Sequence, residues 1–121
     1  MSDVVSTDQL VEVDALAPTE VAERFPLADL ADASDKHDRG TVLLVGGSAE
    51  TPGSMVLAAE AALAAGAGRV QIATVAATAG ALGVAVPEAR VIGLPADGAH
   101  LDAAGLGDIE ETIGRADVVL V

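Results

Sequence analysis

The hydrophobic pattern of the chain changes character at Thr41. Residues 1–40 show no sustained apolar period, and charged side chains interrupt each short hydrophobic stretch. This lead-in predicts one or two short helices. One of them would run through Val21-Ala22-Glu23-Arg24, with Thr19 as its cap and Pro26 at its end. From Thr41 onward, aliphatic runs alternate with Ala-rich stretches of helical length. Thr41-Val42-Leu43-Leu44-Val45 is continuous and β-branched, as expected of a strand buried on both faces. Val70 to Val75, Arg90 to Leu94 and Asp117 to Val121 repeat that pattern. The intervening segments predict helices over Ser54 to Ala65, Ala76 to Val86 and Leu101 to Ile113. Gly66 stops the first of these, and Gly80 and Gly83 weaken the second.

Strand and helix in alternation, joined by short connections, imply right-handed crossovers and a mainly parallel sheet. The expected fold class is therefore α/β, organised as an acidic lead-in over 1–40 and an α/β unit over 41–121. In such sheets ligands bind beyond the carboxyl ends of the strands. Two places then matter, the loop after Val45 and whatever follows Val121. A chain that closes on a buried-strand pattern reads as a fragment, or as a half that needs a partner.

Composition narrows the chemistry. Hydrophobic residues make up 51% of the chain, yet Phe25 is its single aromatic, so the core must be built from Ala, Val, Leu and Ile. Nineteen acidic residues against six basic ones give a net charge of −13. A surface of that sign repels phosphate backbones and anionic lipid, which argues against nucleic-acid or membrane partners. Ten of the acids lie in residues 1–40 against three bases. A solubilising surface is the simpler account of this acidity, with a salt-rich cytoplasm as the alternative. Cysteine is absent, which removes disulfides, thiolate metal sites and a thiol nucleophile. With no signal-like start and no apolar run of about 18 residues, a cytoplasmic protein is expected.

The segment richest in possible chemistry is Gly46-Gly47-Ser48-Ala49-Glu50-Thr51-Pro52-Gly53-Ser54. Glycines let the backbone approach a ligand, Ser48 adds a hydroxyl at the strand mouth, and Gly53-Ser54 open a helix whose free N–H groups favour an anionic group. An ordinary βα turn with a Ser or Thr cap explains the same residues. The spacing fits neither the dinucleotide fingerprint nor a Walker loop. Ala64-Ala65-Gly66-Ala67-Gly68-Arg69 reads as a structural helix stop. His37 and His100 lie in polar stretches without metal-ligand spacing. Ser48 lacks the Gly-x-Ser-x-Gly elbow of a nucleophile.

Taken together, Lys36 to Ser48, Thr51 to Leu63 and Ala65-Gly66-Ala67-Gly68 resemble the opening of the ADP-dependent NAD(P)H-hydrate dehydratase family of the ribokinase-like superfamily. Shared features are a Lys before an aliphatic strand, a Gly-Gly-Ser turn, and an Ala-rich helix running into Gly-Ala-Gly. Val86-Pro87-Glu88 and Ala116-Asp117-Val118-Val119 resemble later segments of the family. The resemblance implies part of a three-layer ribokinase-like fold, a mainly parallel sheet with flanking helices. It also implies dehydration of the hydrated, damaged form of NADH or NADPH, with ADP or ATP and Mg2+. In that chemistry the nucleotide drives phosphorylation of the hydrate hydroxyl, and elimination follows.

By the same resemblance the substrate contacts fall on Ser54, Gly53, Gly47, Ser48 and Lys36. Ser54 stands where the family has Ala. Of the family's His-Lys-Gly before the strand, only Lys36 is kept, within Asp35-Lys36-His37. The family's Gly-Pro-Gly loop, its His-x-Gly-Glu segment and the Gly-Ala-Gly-Asp anion hole with the catalytic Asp do not occur in these 121 residues. No catalytic or metal-binding residue is therefore assigned, and the chain alone is expected to be inactive. A homo-oligomer is expected. A small-molecule kinase of the same superfamily, or a non-catalytic truncated domain, would share the fold.

Overall fold

The computed structural model describes residues 15–26 and 39–121. Strands β1 (Thr41–Val45), β2 (Arg69–Val75), β3 (Ala89–Leu94) and β6 (Val118–Leu120) form one parallel sheet in the order β3-β2-β1-β6. Helix α2 (Gly53–Ala64) connects β1 to β2, and α3 (Ala76–Ala85) connects β2 to β3. Between β3 and β6 come a two-stranded antiparallel pair, β4 (Ala96–Asp97) with β5 (His100–Leu101), then a 3-10 helix (Ala103–Ile109) and α4 (Glu110–Arg115).

Both faces of the inner strands β1 and β2 are covered, which is why these read as unbroken apolar runs. Leu44, Val70 and Ile72 pack against Ala59 of α2 and Leu82 of α3. Leu43, Val45 and Ala73 pack on the opposite side with Leu94 and Ile109. Three layers result, with small side chains between them. Ala59 is wholly buried, and at such contacts alanine lets the helix backbone approach the sheet closely.

The amino ends of the inner strands are pinned by side-chain and backbone bonds. Thr41 N–H donates to Asp117 Oδ2 at 2.7 Å, and Asp117 N–H donates to the Thr41 carbonyl at 3.0 Å. The carbonyl of Gly40 accepts from the N–H groups of Gly68 and Arg69. Asp117→Ala should therefore cost about 1 kcal/mol, a reduced value because the bond is solvent-exposed. Urea unfolding monitored by circular dichroism measures it, and an unchanged midpoint would remove Asp117 from the account.

Two expectations from the sequence need correction. The single helix expected over Leu101 to Ile113 is instead the end of β5, a 3-10 helix and the short α4. Asp102 caps the 3-10 segment by accepting from Ala104 N–H at 2.9 Å. Gly105 is buried and packs so tightly on Pro95 that a Cβ there would lie 2.8 Å from the proline Cδ. That contact holds the turn against the end of β3, where a regular α-helix would not sit. Secondly, Thr19 lies inside α1 (Pro18–Arg24), whose cap position is Ala17. Pro18 already has the φ of a first helical residue, and Glu20 Oε2 accepts from Ala17 N–H at 2.8 Å. The proposed role of Lys36 and the connector around His37 lie outside the described residues.

Candidate functional site at the carboxyl end of β1

Beyond β1 the chain moves outward in one direction, to β2 and then β3, and later returns to the other side of β1 as β6. The strand order thus reverses between β1 and β6. Such a reversal opens a crevice at the carboxyl ends of the strands, because the two following connections diverge. The loop from Gly46 to Pro52 stands at that crevice, and it holds Gly47 and Ser48; Gly53 and Ser54 follow it as the first residues of α2. Four of the five expected substrate contacts are therefore neighbours in space.

The loop is held from several sides. Gly46 N–H donates to the Ala73 carbonyl at 3.0 Å, which continues the β1–β2 ladder by one bond. Ala49 N–H donates to the Ala99 carbonyl at 2.8 Å, tying the loop to the β4–β5 hairpin. Ser48 is buried, and its Oγ accepts from Thr51 N–H at 3.1 Å while lying 3.0 Å from Thr51 Oγ1. Ser54 Oγ donates to the Thr51 carbonyl at 2.9 Å. Both serine hydroxyls are thus engaged in shaping the turn, and Thr51 is the residue that links them.

Gly47 and Gly53 differ in kind. Gly47 has φ +79°, and a Cβ on it would lie 2.9 Å from both Met55 Cγ and Thr74 Oγ1. Protein atoms therefore fill the space beside it. A Cβ on Gly53 would meet nothing within 4 Å. Open space at the first residue of a twelve-residue helix leaves its N-terminal end accessible to a ligand. Met55 and Thr74 were not singled out from the sequence, since each sits inside an otherwise apolar helix or strand pattern. Only the fold brings them against the Gly46-Gly47 turn.

A separate cavity lies away from the loop. A groove of about 620 Å³ runs between α2 and the β1–β6 edge, lined by Val42, Leu44, Ala58, Ala62, Val118 and Leu120, with Arg39 as its one charged residue. Its apolar walls mark the uncovered side of β6, whereas the hydroxyls of Ser48, Thr51 and Ser54 cluster at the loop. Among the described residues, no three His, Cys, Asp or Glu side chains converge where they could hold a metal ion. No helix among the described residues is long and apolar enough to cross a membrane.

Residues 42–121 match the family model of NAD(P)H-hydrate dehydratase. The chain belongs to the NAD(P)H-hydrate dehydratase family. A curated relative, the ADP-dependent (S)-NAD(P)H-hydrate dehydratase of Xanthomonas campestris pv. campestris, is 43% identical over 91 residues, covering 75% of this chain and 32% of the relative. A ribokinase-like superfamily protein from Enterococcus faecalis V583 superposes with a TM-score of 0.63 at 26% identity, over 78% of this chain and 30% of that structure. The fold is accordingly ribokinase-like, and the chain spans about a third of the length of these relatives. The family match begins inside β1, so the switch-point loop and α2 both lie within the shared region.

Proposed function

We propose that this chain provides the substrate-side wall of an ADP-dependent NAD(P)H-hydrate dehydratase, which returns hydrated NADH or NADPH to the intact cofactor in the cytoplasm. The carrying observation is the placement of Gly53, at an open helix start, beside the Gly46-to-Pro52 loop at the strand-order reversal, inside the region matched by the family. The helix dipole at that open end favours a polar ligand group, and the Ser48–Thr51–Ser54 bonds hold the loop in one shape before the ligand arrives. Ser54 for the family's Ala adds a hydroxyl that is already turned onto the Thr51 carbonyl, so it leaves the helix mouth open. Lys36 would join from the lead-in. ADP is the nucleotide named for the Xanthomonas relative. Magnesium, expected from the resemblance, finds no cluster of ligands among the described residues, and no step is assigned to it. Self-association into a homo-oligomer is part of the same reading, because Val118 and Leu120 of the edge strand β6 are more than half exposed.

Titration calorimetry with NADPH hydrate tests the site. Saturable binding is expected, and Gly53→Leu should weaken it at least about tenfold by filling the open space at the helix start. The same variant should melt within about 0.5 kcal/mol of the wild type, since the Cβ of the new side chain starts in open space. Wild-type protein that takes up no NADPH hydrate, or that binds a small sugar instead, would sink the dehydratase reading.

A further inference from the structure

Thr74 carries a feature that the fold does not explain. It is the penultimate residue of β2, wholly buried, and its Oγ1 has no hydrogen-bond partner among the described residues. An unsatisfied buried hydroxyl costs about 1–3 kcal/mol, and valine would fill nearly the same volume without that cost. What the hydroxyl faces is the Gly46-Gly47 turn. The point where a Cβ of Gly47 would stand is 2.9 Å from Thr74 Oγ1 and 2.9 Å from Met55 Cγ. A Cβ on Gly46 would lie 3.4 Å from Met55 Cε. The methionine therefore lies along both glycines, over the side of the turn that Thr74 faces.

Met55 belongs to the first turn of α2 and is only partly buried. Its side chain has three rotatable bonds and no polar anchor, so it can swing away at small cost. Thr74 is fixed in the inner strand and cannot. With the thioether displaced, the Thr74 hydroxyl opens onto the same switch-point mouth as Gly47 and Gly53.

We propose that Thr74 is a specificity-determining residue of this site. Its hydroxyl takes its missing hydrogen bond from an uncharged group of the ligand, an amide or hydroxyl such as hydrated nicotinamide carries, and Met55 is the side chain that moves to admit it. Among the described residues, the atoms nearest the two glycines on this side belong to Met55 and Thr74, both uncharged. An uncharged partner is therefore favoured over a phosphate. The inference rests on the dehydratase reading above and deepens it.

Calorimetric titrations of NADPH hydrate and of ADP into wild type, Thr74→Val and Thr74→Ser test it, together with thermal melts of the unliganded proteins. Thr74→Val should weaken NADPH hydrate by about tenfold, the equivalent of one lost hydrogen bond. It should leave ADP binding unchanged and should not lower the unliganded melting temperature. Thr74→Ser should keep most of the affinity. Unaltered NADPH-hydrate binding by Thr74→Val overturns the proposal, as does an equal loss for ADP. A lowered unliganded melting temperature does so too, because the hydroxyl would then be satisfied without ligand. Wild-type protein that binds no NADPH hydrate removes both this proposal and the dehydratase reading, whereas binding that ignores Thr74 removes this proposal alone.

Discussion

Gly47→Ala should destabilise the protein by about 3 kcal/mol and abolish measurable NADPH-hydrate binding, the largest combined effect expected of any single methyl group here. Two costs add. At φ +79° an L-residue pays roughly 1–2 kcal/mol in backbone strain. The new Cβ would also stand 2.9 Å from Met55 Cγ and from Thr74 Oγ1. Met55 can yield, but Thr74 is held in β2 with β1 and β3 on either side, so the loop itself must shift. Such forced repacking costs about 1–3 kcal/mol. The melting temperature should fall by on the order of 15 °C for a domain of this size. Gly53→Ala is the matched control, since its Cβ meets nothing and its melting temperature should hold. Equal melting temperatures for Gly47→Ala and wild type would show that the turn is not built as described.

Ile72→Ala should be the most damaging substitution in the core, at about 4 kcal/mol. Ile72 is wholly buried on the inner strand β2, among Leu44, Ala59, Val70 and Leu82. Several of its neighbours are alanines or valines, and the single aromatic, Phe25, is exposed and not part of this cluster. The cavity would therefore stay open, which places the cost toward the upper part of the range for such truncations. Since whole domains are stable by only about 5–15 kcal/mol, much of the margin would be lost. Val118→Ala on β6, where the side chain is 54% exposed, should change stability by less than about 1 kcal/mol. Denaturant melts of the two variants decide the matter, and a comparable loss at both positions would mean that β6 is covered in solution.

Much of the layout was legible before any coordinates. Each of the four parallel strands announces itself as an aliphatic run, and for β1 and β2 burial on both faces removes the polar alternation that would blur a strand's identity. The helix opening at Gly53 and stopping near Gly66 was equally readable from its Ala-rich stretch and its glycines. The segment from Leu101 to Ile113 was not. Local apolar spacing favoured one helix there, while the contact between Gly105 and Pro95 and the cap from Asp102 favour a hairpin and a 3-10 turn. Those are tertiary and side-chain terms, and they outweigh a weak helical propensity diluted by glycine.

The candidate site divides in the same way. Its loop was visible as a glycine-rich strand-to-helix connection, and the linked motifs pointed to the family that the comparison then established. Residue types also determined what the core could be made of. Tertiary structure alone decided how each site residue is used. Ser48 and Ser54 spend their hydroxyls on Thr51, Gly47 is walled in, Gly53 is open, and Thr74 is brought under the turn from β2, the next strand along the chain. Sequence encodes periodicity and burial because these depend on each residue's own side chain. Which hydroxyl is satisfied and which glycine has room depends on atoms contributed by other elements, and those meet only once β1, β2 and α2 have packed.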